Sequence, residues 1–297
     1  MKLGLIGKGI YAKVYKAVEK STGRVYAIKE IRKSLVLHKR SIKHMRREVE
    51  ILSEIENEMI VNMRAVFQDM SNIYMVLDYM KGGDLAQHLH HVHKFSEEQT
   101  KFFVACIMMS LEYLHSNGIV HRDVKPTNLM FDDRHYLRLG DFGISEWASE
   151  ITSANTSGTI THMAPEVICG QMHGITSDYY SLGVVCYQCM LGVLPYTGKD
   201  RKTIRENILA NQVQIKKDEI PEEWSLEAAD FVNRLLQRKP GNRLGLNGPI
   251  EVKNHVWLKT FPWEKLRNGE LVPPYMPKNV IIGSHSGREV PSGKFLR

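Results

Sequence analysis

The sequence has few cysteines and no long hydrophobic run, and each shortage excludes a class of protein. Four cysteines among 297 residues are too few for a small secreted domain held together by disulfides. The most apolar stretch, residues 182–194, is interrupted by Gln188 and Gly192, so it is too short to span a bilayer. Gly4 and Gly7 break the apolar stretch at the N-terminus, which excludes a signal-peptide core. We therefore expect an intracellular, cytoplasmic protein with no membrane span.

The sequence also lacks internal repeats and low-complexity segments. Hydrophobic residues make up 43% of it, which is too many for a disordered chain. The formal net charge is +7, but residues 1–50 contain 14 Lys and Arg against 4 Glu, or +10, so the remaining residues sum to −3. This basic character is compatible with nucleic acid, an acidic membrane surface or a nucleotide as the partner.

Residue patterns predict that the N-terminal part is rich in strands. Runs of Val, Ile and Tyr at residues 10–17 and 24–31 are typical of strands, and the Ser-Thr-Gly turn between them predicts a hairpin. Apolar residues spaced by three and four predict a helix over residues 42–55. Two further strands are predicted at residues 61–68 and 73–79.

The rest of the chain is predicted to be mainly helical. Ser96 and Gln99 have the spacing of a capping box at the start of a helix. Further helices are predicted at residues 177–191, 203–210 and 226–237. The fold class is therefore α+β, with a small β-rich lobe that carries one helix and a larger helical lobe.

Composition and pattern divide the chain into three parts. We predict an N-terminal lobe at residues 1–80, a C-terminal lobe at residues 81–262 and a Pro-containing tail at residues 263–297. The tail is expected to have little regular structure of its own.

A glycine-rich turn and a lysine–glutamate pair predict a phosphate-binding site in the N-terminal lobe. Gly7, Lys8 and Gly9 lie between two predicted strands, where the absence of a Cβ lets backbone amides approach phosphate oxygens. Lys29 lies on the second strand of the hairpin, and Glu48 follows 19 positions later on the predicted helix. A buried lysine that orients phosphates needs a carboxylate to hold it, and Glu48 can supply one.

The stretch HRDVKPTN at residues 121–128 predicts phosphoryl transfer. It places Asp123, Lys125 and Asn128 on one compact loop. Phosphoryl transfer needs a carboxylate that accepts the hydroxyl proton, a cation that compensates charge, and a ligand for Mg²⁺. The tripeptide Asp-Phe-Gly at residues 141–143 adds a second carboxylate 13 residues later.

Together with Ala-Pro-Glu at residues 164–166, these motifs have the order and spacing found in eukaryotic protein kinases. The chain resembles that family from Gly7 to about Pro277. The resemblance implies the bilobal protein-kinase fold, with a small antiparallel β lobe and a larger mainly helical lobe. It also implies ATP and Mg²⁺ as cofactors and Ser or Thr hydroxyls of protein substrates as acceptors.

The resemblance implies a role for each motif residue. The implied catalytic residues are Asp123 as the base, Lys125 on the γ-phosphate, Lys29 on the α- and β-phosphates, Glu48 as its partner, and Thr159 in contact with the base and the lysine. The implied metal ligands are Asn128 and Asp141. The implied nucleotide site comprises Gly7, Lys8, Gly9, Val14, Ala27, Lys29, Leu77, Asp78, Met80, Asp84 and Met130. Two structural partners are implied as well: Asp178, which holds the catalytic loop, and Arg243, which pairs with Glu166.

The C-terminal part resembles the AGC group of serine/threonine kinases, which includes the cyclic-nucleotide-dependent and YANK-type kinases. The stretches that carry this likeness are residues 242–245, 252–257 and 273–277. His44, four residues before Glu48, matches the helix histidine that contacts activation-loop phosphate in that group.

The loop after residue 143 is expected to be regulatory. Arg122 beside the base predicts that activity depends on charge in the activation loop, because such an arginine is held by a phosphate or acidic group. An upstream kinase is expected to act on one of four hydroxyl residues: Thr152, Ser153, Thr156 or Ser157.

Two other functions remain open at this point. A non-catalytic scaffold of the same fold is favoured by Ala12, which replaces the third glycine of the usual fingerprint, but the intact Lys29, Asp123 and Asp141 oppose it. A nucleic-acid-binding protein is supported by net charge alone. Because the basic stretch at residues 38–47 lacks interleaved aromatics, we expect no specific nucleic acid partner.

Overall fold

The computed structural model of the chain describes residues 1–9, 12–35, 39–152 and 156–277, and of residues 39–41 only the backbone. Ser153, one of the four candidate phosphorylation sites, lies outside the described residues.

The N-terminal part is one antiparallel sheet with one helix. Its elements are β1 (Lys2–Lys8), β2 (Ala12–Val18), β3 (Val25–Arg32), α1 (Lys39–Glu54), β4 (Met63–Gln68) and β5 (Asn72–Asp78). The five strands lie in the order β1-β2-β3-β5-β4. The β2–β3 hairpin turns at Gly23, whose φ of +74° is a left-handed conformation that glycine adopts without a Cβ penalty.

The apolar stripe of α1 fixes the helix against this sheet. Ile51, Leu52 and Ile55 are buried in the same core as Ile31 of β3 and Met75 of β5. These three helix residues are spaced by one, three and four positions, so they lie on one face of the helix. Glu48 lies three and four positions before Ile51 and Leu52, so this buried face also carries a carboxylate.

The C-terminal part is mainly helical. Its helices are α2 (Leu85–Val92), α3 (Glu97–Ser116), α4 (Pro165–Ile168), α5 (Thr176–Leu191), α6 (Arg201–Ala210), α7 (Leu226–Leu235), α8 (Pro249–Lys253) and α9 (Trp263–Arg267). Its short strands are β6 (Ile119–Val120), β7 (Leu129–Phe131), β8 (Leu137–Leu139) and β9 (Glu146–Trp147). β6 pairs with β9 and β7 pairs with β8, both antiparallel.

Helix α3 is the centre of this part. Most of its residues between Thr100 and Leu114 are buried, and it packs against α5, which in turn packs against α7. The helix starts with the capping box that the sequence predicts: the Ser96 hydroxyl accepts a hydrogen bond from the Gln99 amide, and the Gln99 side chain accepts one from the Ser96 amide.

The predicted fold class is confirmed, and the predicted elements begin and end within about three residues of those observed, a difference ordinary for element boundaries. Four short helices go beyond the sequence-based expectation. They are α2, which begins directly after Asp84, α4, α8, and α9, which lies in the tail that was expected to have little regular structure. Along the described parts of the chain, no helix combines the length and the apolar character that a membrane crossing needs.

Candidate active site

Strand β3 and helix α1 bring the predicted lysine–glutamate pair together. Lys29 shares a face of β3 with the buried Ala27 and Ile31, because side chains alternate along a strand. Its Nζ lies 2.6 Å from Oε1 of Glu48, which is 4% exposed, and 3.6 Å from Oδ1 of Asp141. Burial alone would lower the pKa of Lys29, but the two carboxylates outweigh it and raise that pKa above its ordinary value.

The same face of the sheet carries further predicted nucleotide-site residues. Val14 of β2 pairs directly with Lys29, and Leu77 of β5 pairs directly with Ala27. Directly opposite residues in an antiparallel pair lie on the same face, so Val14, Ala27, Lys29 and Leu77 form one patch.

The glycine-rich turn lies at one end of this patch. Gly7 and Lys8 end β1, and the Gly9 amide donates to the Ala12 carbonyl over 2.8 Å. A Cβ at Gly7 would lie 3.5 Å from Cβ of Val14, and one at Gly9 would lie 3.6 Å from the Ala12 carbonyl oxygen. Both are ordinary contacts, so packing within the described chain does not itself require glycine at either position.

The connection between the two parts runs from Asp78 to Asp84. The Asp78 carboxylate accepts hydrogen bonds from Arg64 Nε over 2.7 Å and from Asn62 Nδ2 over 2.9 Å. Met80 is half-buried within this connection. The Asp84 carboxylate caps α2, where it accepts from the amide and the side chain of Gln87 over 2.9 and 2.6 Å, and burial raises its pKa.

Strand β7 is hydrogen-bonded to the connection through its backbone. The Gly82 amide donates to the Phe131 carbonyl, and the Phe131 amide donates to the Gly83 carbonyl, each over 2.9 Å. Asp84 and Met130 form an isolated antiparallel bridge. Met130 is thereby placed next to the connection.

Asp123 is the centre of a dense hydrogen-bond network. Its Oδ2 accepts from Lys125 Nζ over 2.5 Å and from Asn128 Nδ2 over 3.1 Å, and its Oδ1 accepts from the Thr159 hydroxyl over 2.8 Å. Lys125 Nζ also donates to the Thr159 hydroxyl over 2.8 Å. The carboxylate therefore has a defined orientation, with a cation beside it, although Thr159 is 36 positions away in the sequence.

Asp178 of α5 fixes the backbone of this loop. Its carboxylate accepts from the amide of His121 over 2.9 Å and from the amide of Arg122 over 2.7 Å. These bonds hold Arg122 at a φ of +70°, a conformation that non-glycine residues rarely adopt. Burial alone would raise the pKa of Asp178, but His115 and the Arg122 amide outweigh it, so that pKa is lowered.

His115 completes this support, although it was not among the residues predicted from the sequence. Its Nε2 lies 2.9 Å from Oδ2 of Asp178. The two residues are 63 positions apart, on different helices, and no local pattern links them. Only the packing of α3 against α5 shows the contact.

The second predicted carboxylate, Asp141, lies between the two halves of the site. Its side chain is 49% exposed, and Lys29 lowers its pKa. Its φ is +59°, and the following residue, Phe142, is buried with its ring edge against His121 at a centroid distance of 5.2 Å.

The predicted metal ligands fit a hard cation. Asn128 uses its amide nitrogen on Asp123, which leaves its carbonyl oxygen as a donor, and the half-exposed Asp141 carboxylate is a second oxygen donor. Among the described residues, no three His, Cys, Asp or Glu side chains converge as a closed metal site. Two protein oxygens are the kind of ligand set on which Mg²⁺ relies when water and substrate phosphates complete its coordination.

The remaining implied pair is also present. Both guanidinium nitrogens Nη1 and Nη2 of Arg243 donate to the carboxylate of Glu166, over 2.6 and 2.9 Å, and both side chains are buried. Arg243 further donates to the carbonyls of Gln237 and Thr176. This pair links α4 to the segment after α7.

Of the candidate phosphorylation sites, three lie among the described residues. Thr152 and Thr156 are exposed, and Ser157 is half-buried. Arg122, next to Asp123, donates from Nη1 to the carbonyl of Ile144 over 3.1 Å, so this arginine reaches the start of the same loop.

Comparison with known proteins agrees with this geometry. A family model described as the protein kinase domain matches residues 1–258. A Dictyostelium discoideum protein described as a probable serine/threonine-protein kinase is 37% identical over 275 residues, which are 92% of this chain and 59% of that protein. The Arabidopsis thaliana serine/threonine-protein kinase AtPK1/AtPK6 is 35% identical over 92% of this chain and 58% of its own length. Human ribosomal protein S6 kinase alpha-1 is 35% identical over 93% of this chain and 38% of its own length. The chain thus spans less than two thirds of the length of these relatives.

Proposed function

The chain belongs to the protein kinase domain family, and we propose that it is a serine/threonine kinase that transfers the γ-phosphoryl group of ATP to Ser or Thr hydroxyls of proteins. The observation that carries this proposal is the network at Asp123, where Lys125 and Thr159 both contact one buried carboxylate. The likeness to serine/threonine kinases of the AGC group supports the choice of acceptor.

Asp123 acts as the base in this proposal. Its carboxylate accepts the proton of the substrate hydroxyl as the oxygen attacks the γ-phosphorus, and the bond to the β-phosphate oxygen breaks. Lys125, 2.5 Å from that carboxylate, compensates negative charge on the transferring group. Thr159 orients both side chains through one hydroxyl.

The nucleotide occupies the patch on the sheet. Lys29, held by Glu48 over 2.6 Å, binds the α- and β-phosphates, and the amides of Gly7, Lys8 and Gly9 cover them. The adenine is enclosed by apolar side chains and hydrogen-bonded by the connection between the two parts. Val14, Ala27, Leu77 and Met130 line the adenine, and the backbone of Asp78 and Met80 offers the hydrogen bonds. Asp84 reaches the ribose or a basic side chain of the substrate.

Asn128 and Asp141 hold Mg²⁺ in this proposal. The bound cation supplies charge compensation for the phosphates. The atoms that Asn128 and Asp141 can offer to a metal are oxygens, because the Asn128 amide nitrogen donates to Asp123. Oxygen ligands suit Mg²⁺ better than metals that prefer nitrogen or sulfur.

We further propose the setting in which this activity works. The chain divides into the N-terminal lobe at residues 1–80, the C-terminal lobe at 81–262 and the tail at 263–297. An upstream kinase acts on one of Thr152, Ser153, Thr156 or Ser157. The use of ATP and the four free cysteines support an intracellular, cytoplasmic location.

The test compares the wild type with Asp123→Asn in an ATP-transfer assay on a Ser/Thr peptide mixture. Loss of the base is expected to lower kcat by about 10²–10⁴-fold while nucleotide binding persists, because Lys29 and Glu48 are untouched. Glu206→Gln, at a 59% exposed surface glutamate of α6, is the matched control and is expected to leave kcat unchanged. Nucleotide binding without transfer by the wild type would favour a scaffold instead, and tight, salt-sensitive DNA binding without transfer would favour a nucleic-acid-binding protein.

A further inference from the structure

Helix α1 forms a second ion-pair cluster that the proposed chemistry does not use. Arg47 Nε lies 2.7 Å from Oε1 of Glu146 without an aligned hydrogen bond, and Lys43 Nζ lies 3.7 Å from Oε2 of the same carboxylate. Arg47 also pairs with Glu150. We call these four residues, Lys43, Arg47, Glu146 and Glu150, the α1 latch.

The central pair of the latch is shielded from water. The Arg47 side chain is 13% exposed and that of Glu146 is 6% exposed, so their attraction is little screened by solvent or salt. Separating the pair while either side chain remains desolvated would leave a charge without its partner, which is costly. The pair therefore favours one position of α1.

The position of the latch joins the two halves of the active site. Arg47 directly precedes Glu48, the partner of Lys29. Glu146 lies on β9 and pairs through its backbone with Val120 of β6, one residue before His121 and three before Asp123. The Glu146 carboxylate thus connects α1, whose Glu48 pairs with Lys29, to the strand that leads into the loop with Asp123.

We propose that Glu146, with Glu150, positions Glu48 against Lys29 through Arg47, and that it does so in the unphosphorylated chain. Two carboxylates of the activation segment already provide the negative charge that the cations of α1 need. Phosphate at Thr152 or Thr156 then adds to this arrangement and does not create it. This inference rests on the proposed kinase function, in which Lys29 binds the phosphates of ATP.

The test measures steady-state kinetics of Glu146→Gln and Arg47→Met on protein treated with phosphatase and checked by intact mass. If the latch sets the population of the nucleotide-binding position, each variant raises KM for ATP by about tenfold, while kcat at saturating ATP is nearly retained because ATP itself restores that position. The double variant is expected to be no worse than the poorer single variant, since the two residues act through each other. Glu206→Gln is again the control and leaves both constants unchanged.

Three results would overturn the proposal: an unchanged KM in Glu146→Gln, a fall in kcat at constant KM, which a merely structural defect produces, or additive effects in the double variant. A rise in the wild-type KM on phosphatase treatment as large as that caused by Glu146→Gln would overturn the phosphate-independent part.

If the wild type transfers no phosphate, the proposed function fails. The same variants are then compared with the wild type by calorimetric titration with ATP. A tenfold weaker affinity for ATP supports the latch, and an equal affinity refutes it.

Discussion

At the scale of single residues, the neighbours of Asp123 determine how its carboxylate is oriented. Any aspartate in a loop can accept a proton, but this one is held by a lysine, a threonine hydroxyl and an asparagine amide at once. Each bond removes a rotational freedom of the carboxylate, so the group is oriented before a substrate arrives. Thr159 is the member of this network that the loop itself does not provide.

Replacing Thr159 with Val is expected to lower kcat by about ten- to a hundredfold, because a hydrogen bond to a charged group is worth about 1.5–3 kcal/mol. KM for ATP is expected to stay constant, since Lys29 and Glu48 do not contact this residue among the hydrogen bonds described. Steady-state kinetics with ATP and a Ser/Thr peptide measure both constants. Thr159→Ser keeps the hydroxyl and serves as the control; equal kcat for the wild type and the Val variant would contradict the assigned role.

His162 is a second residue whose environment changes its chemistry. It is 7% exposed, and its Nε2 has no hydrogen-bond partner among the described residues. Burial lowers its pKa to about 4, against about 6.5 in an unfolded chain. Between these two values the unfolded chain binds a proton that the folded protein does not, so the free energy of unfolding decreases as the pH falls.

We expect this one group to reduce the free energy of unfolding by about 2 kcal/mol between pH 7 and pH 5. His162→Gln removes the titration, so its free energy of unfolding is expected to depend less on pH than that of the wild type by this amount. Urea unfolding at the two pH values measures the difference. Identical pH dependence in both proteins would show that His162 is protonated in the folded state as readily as in the unfolded one.

At the scale of elements, register and helix packing place the site. Residues 14, 27, 29 and 77 face one way because β2, β3 and β5 pair without a bulge between these positions. The sequence predicts the strands from their β-branched residues, and the hairpin register follows from its turn. That β5 lies beside β3 does not follow from local pattern, since α1 and β4 lie between them in the chain.

Helix α5 packs against α7 so closely that a Cβ at Gly183 would crowd the neighbouring helix. A Cβ at Gly183 would lie 2.8 Å from Cβ of Leu235 and 3.1 Å from Cδ2 of Leu236. The Cβ of Leu235 cannot move without its backbone, and the Leu236 side chain is buried. The backbone of α7 would therefore have to move. Asp178, which binds the amides of His121 and Arg122, lies on the first turn of the same helix.

Gly183→Ala is therefore expected to decrease the free energy of unfolding by about 1 kcal/mol. Overpacking costs about 1–3 kcal/mol, and alanine's better helix propensity offsets about 1 kcal/mol of it. Urea unfolding measures the change, with Gly174→Ala as the control, because no atom lies within 4 Å of a Cβ at that position. A more stable Gly183→Ala variant would mean that α7 adjusts without loss.

At the scale of the whole molecule, a few long-range polar contacts connect the segments. Arg243 and Glu166 are 77 positions apart and fully buried. Removing one partner leaves the other as an unpaired charge in the core, which is more costly than the net contribution of the intact pair. The pair links α4, which follows the segment that carries Thr159, to the segment after α7.

Arg243→Met is expected to decrease the free energy of unfolding by about 3–5 kcal/mol. Arg267→Met is the matched control: its partner Glu264 and its own side chain are exposed by 74% and 50%, so the expected change is about 0–1 kcal/mol. Urea unfolding of the two variants measures the contrast. Equal losses would contradict the buried character of the Arg243 pair.

The sequence by itself determined the chemistry: the residue types at 123, 125, 128 and 141, their spacing, and the local signals such as the Ser96 capping box. It did so because these features depend on neighbours within a few positions, where periodicity and capping act. The tertiary structure alone decided which distant groups meet, such as His115 with Asp178 and Arg47 with Glu146. Those contacts arise only when packed elements bring separate segments together, and no local pattern encodes that packing. The active site thus has residues that can be read from the chain and an arrangement that only the fold provides.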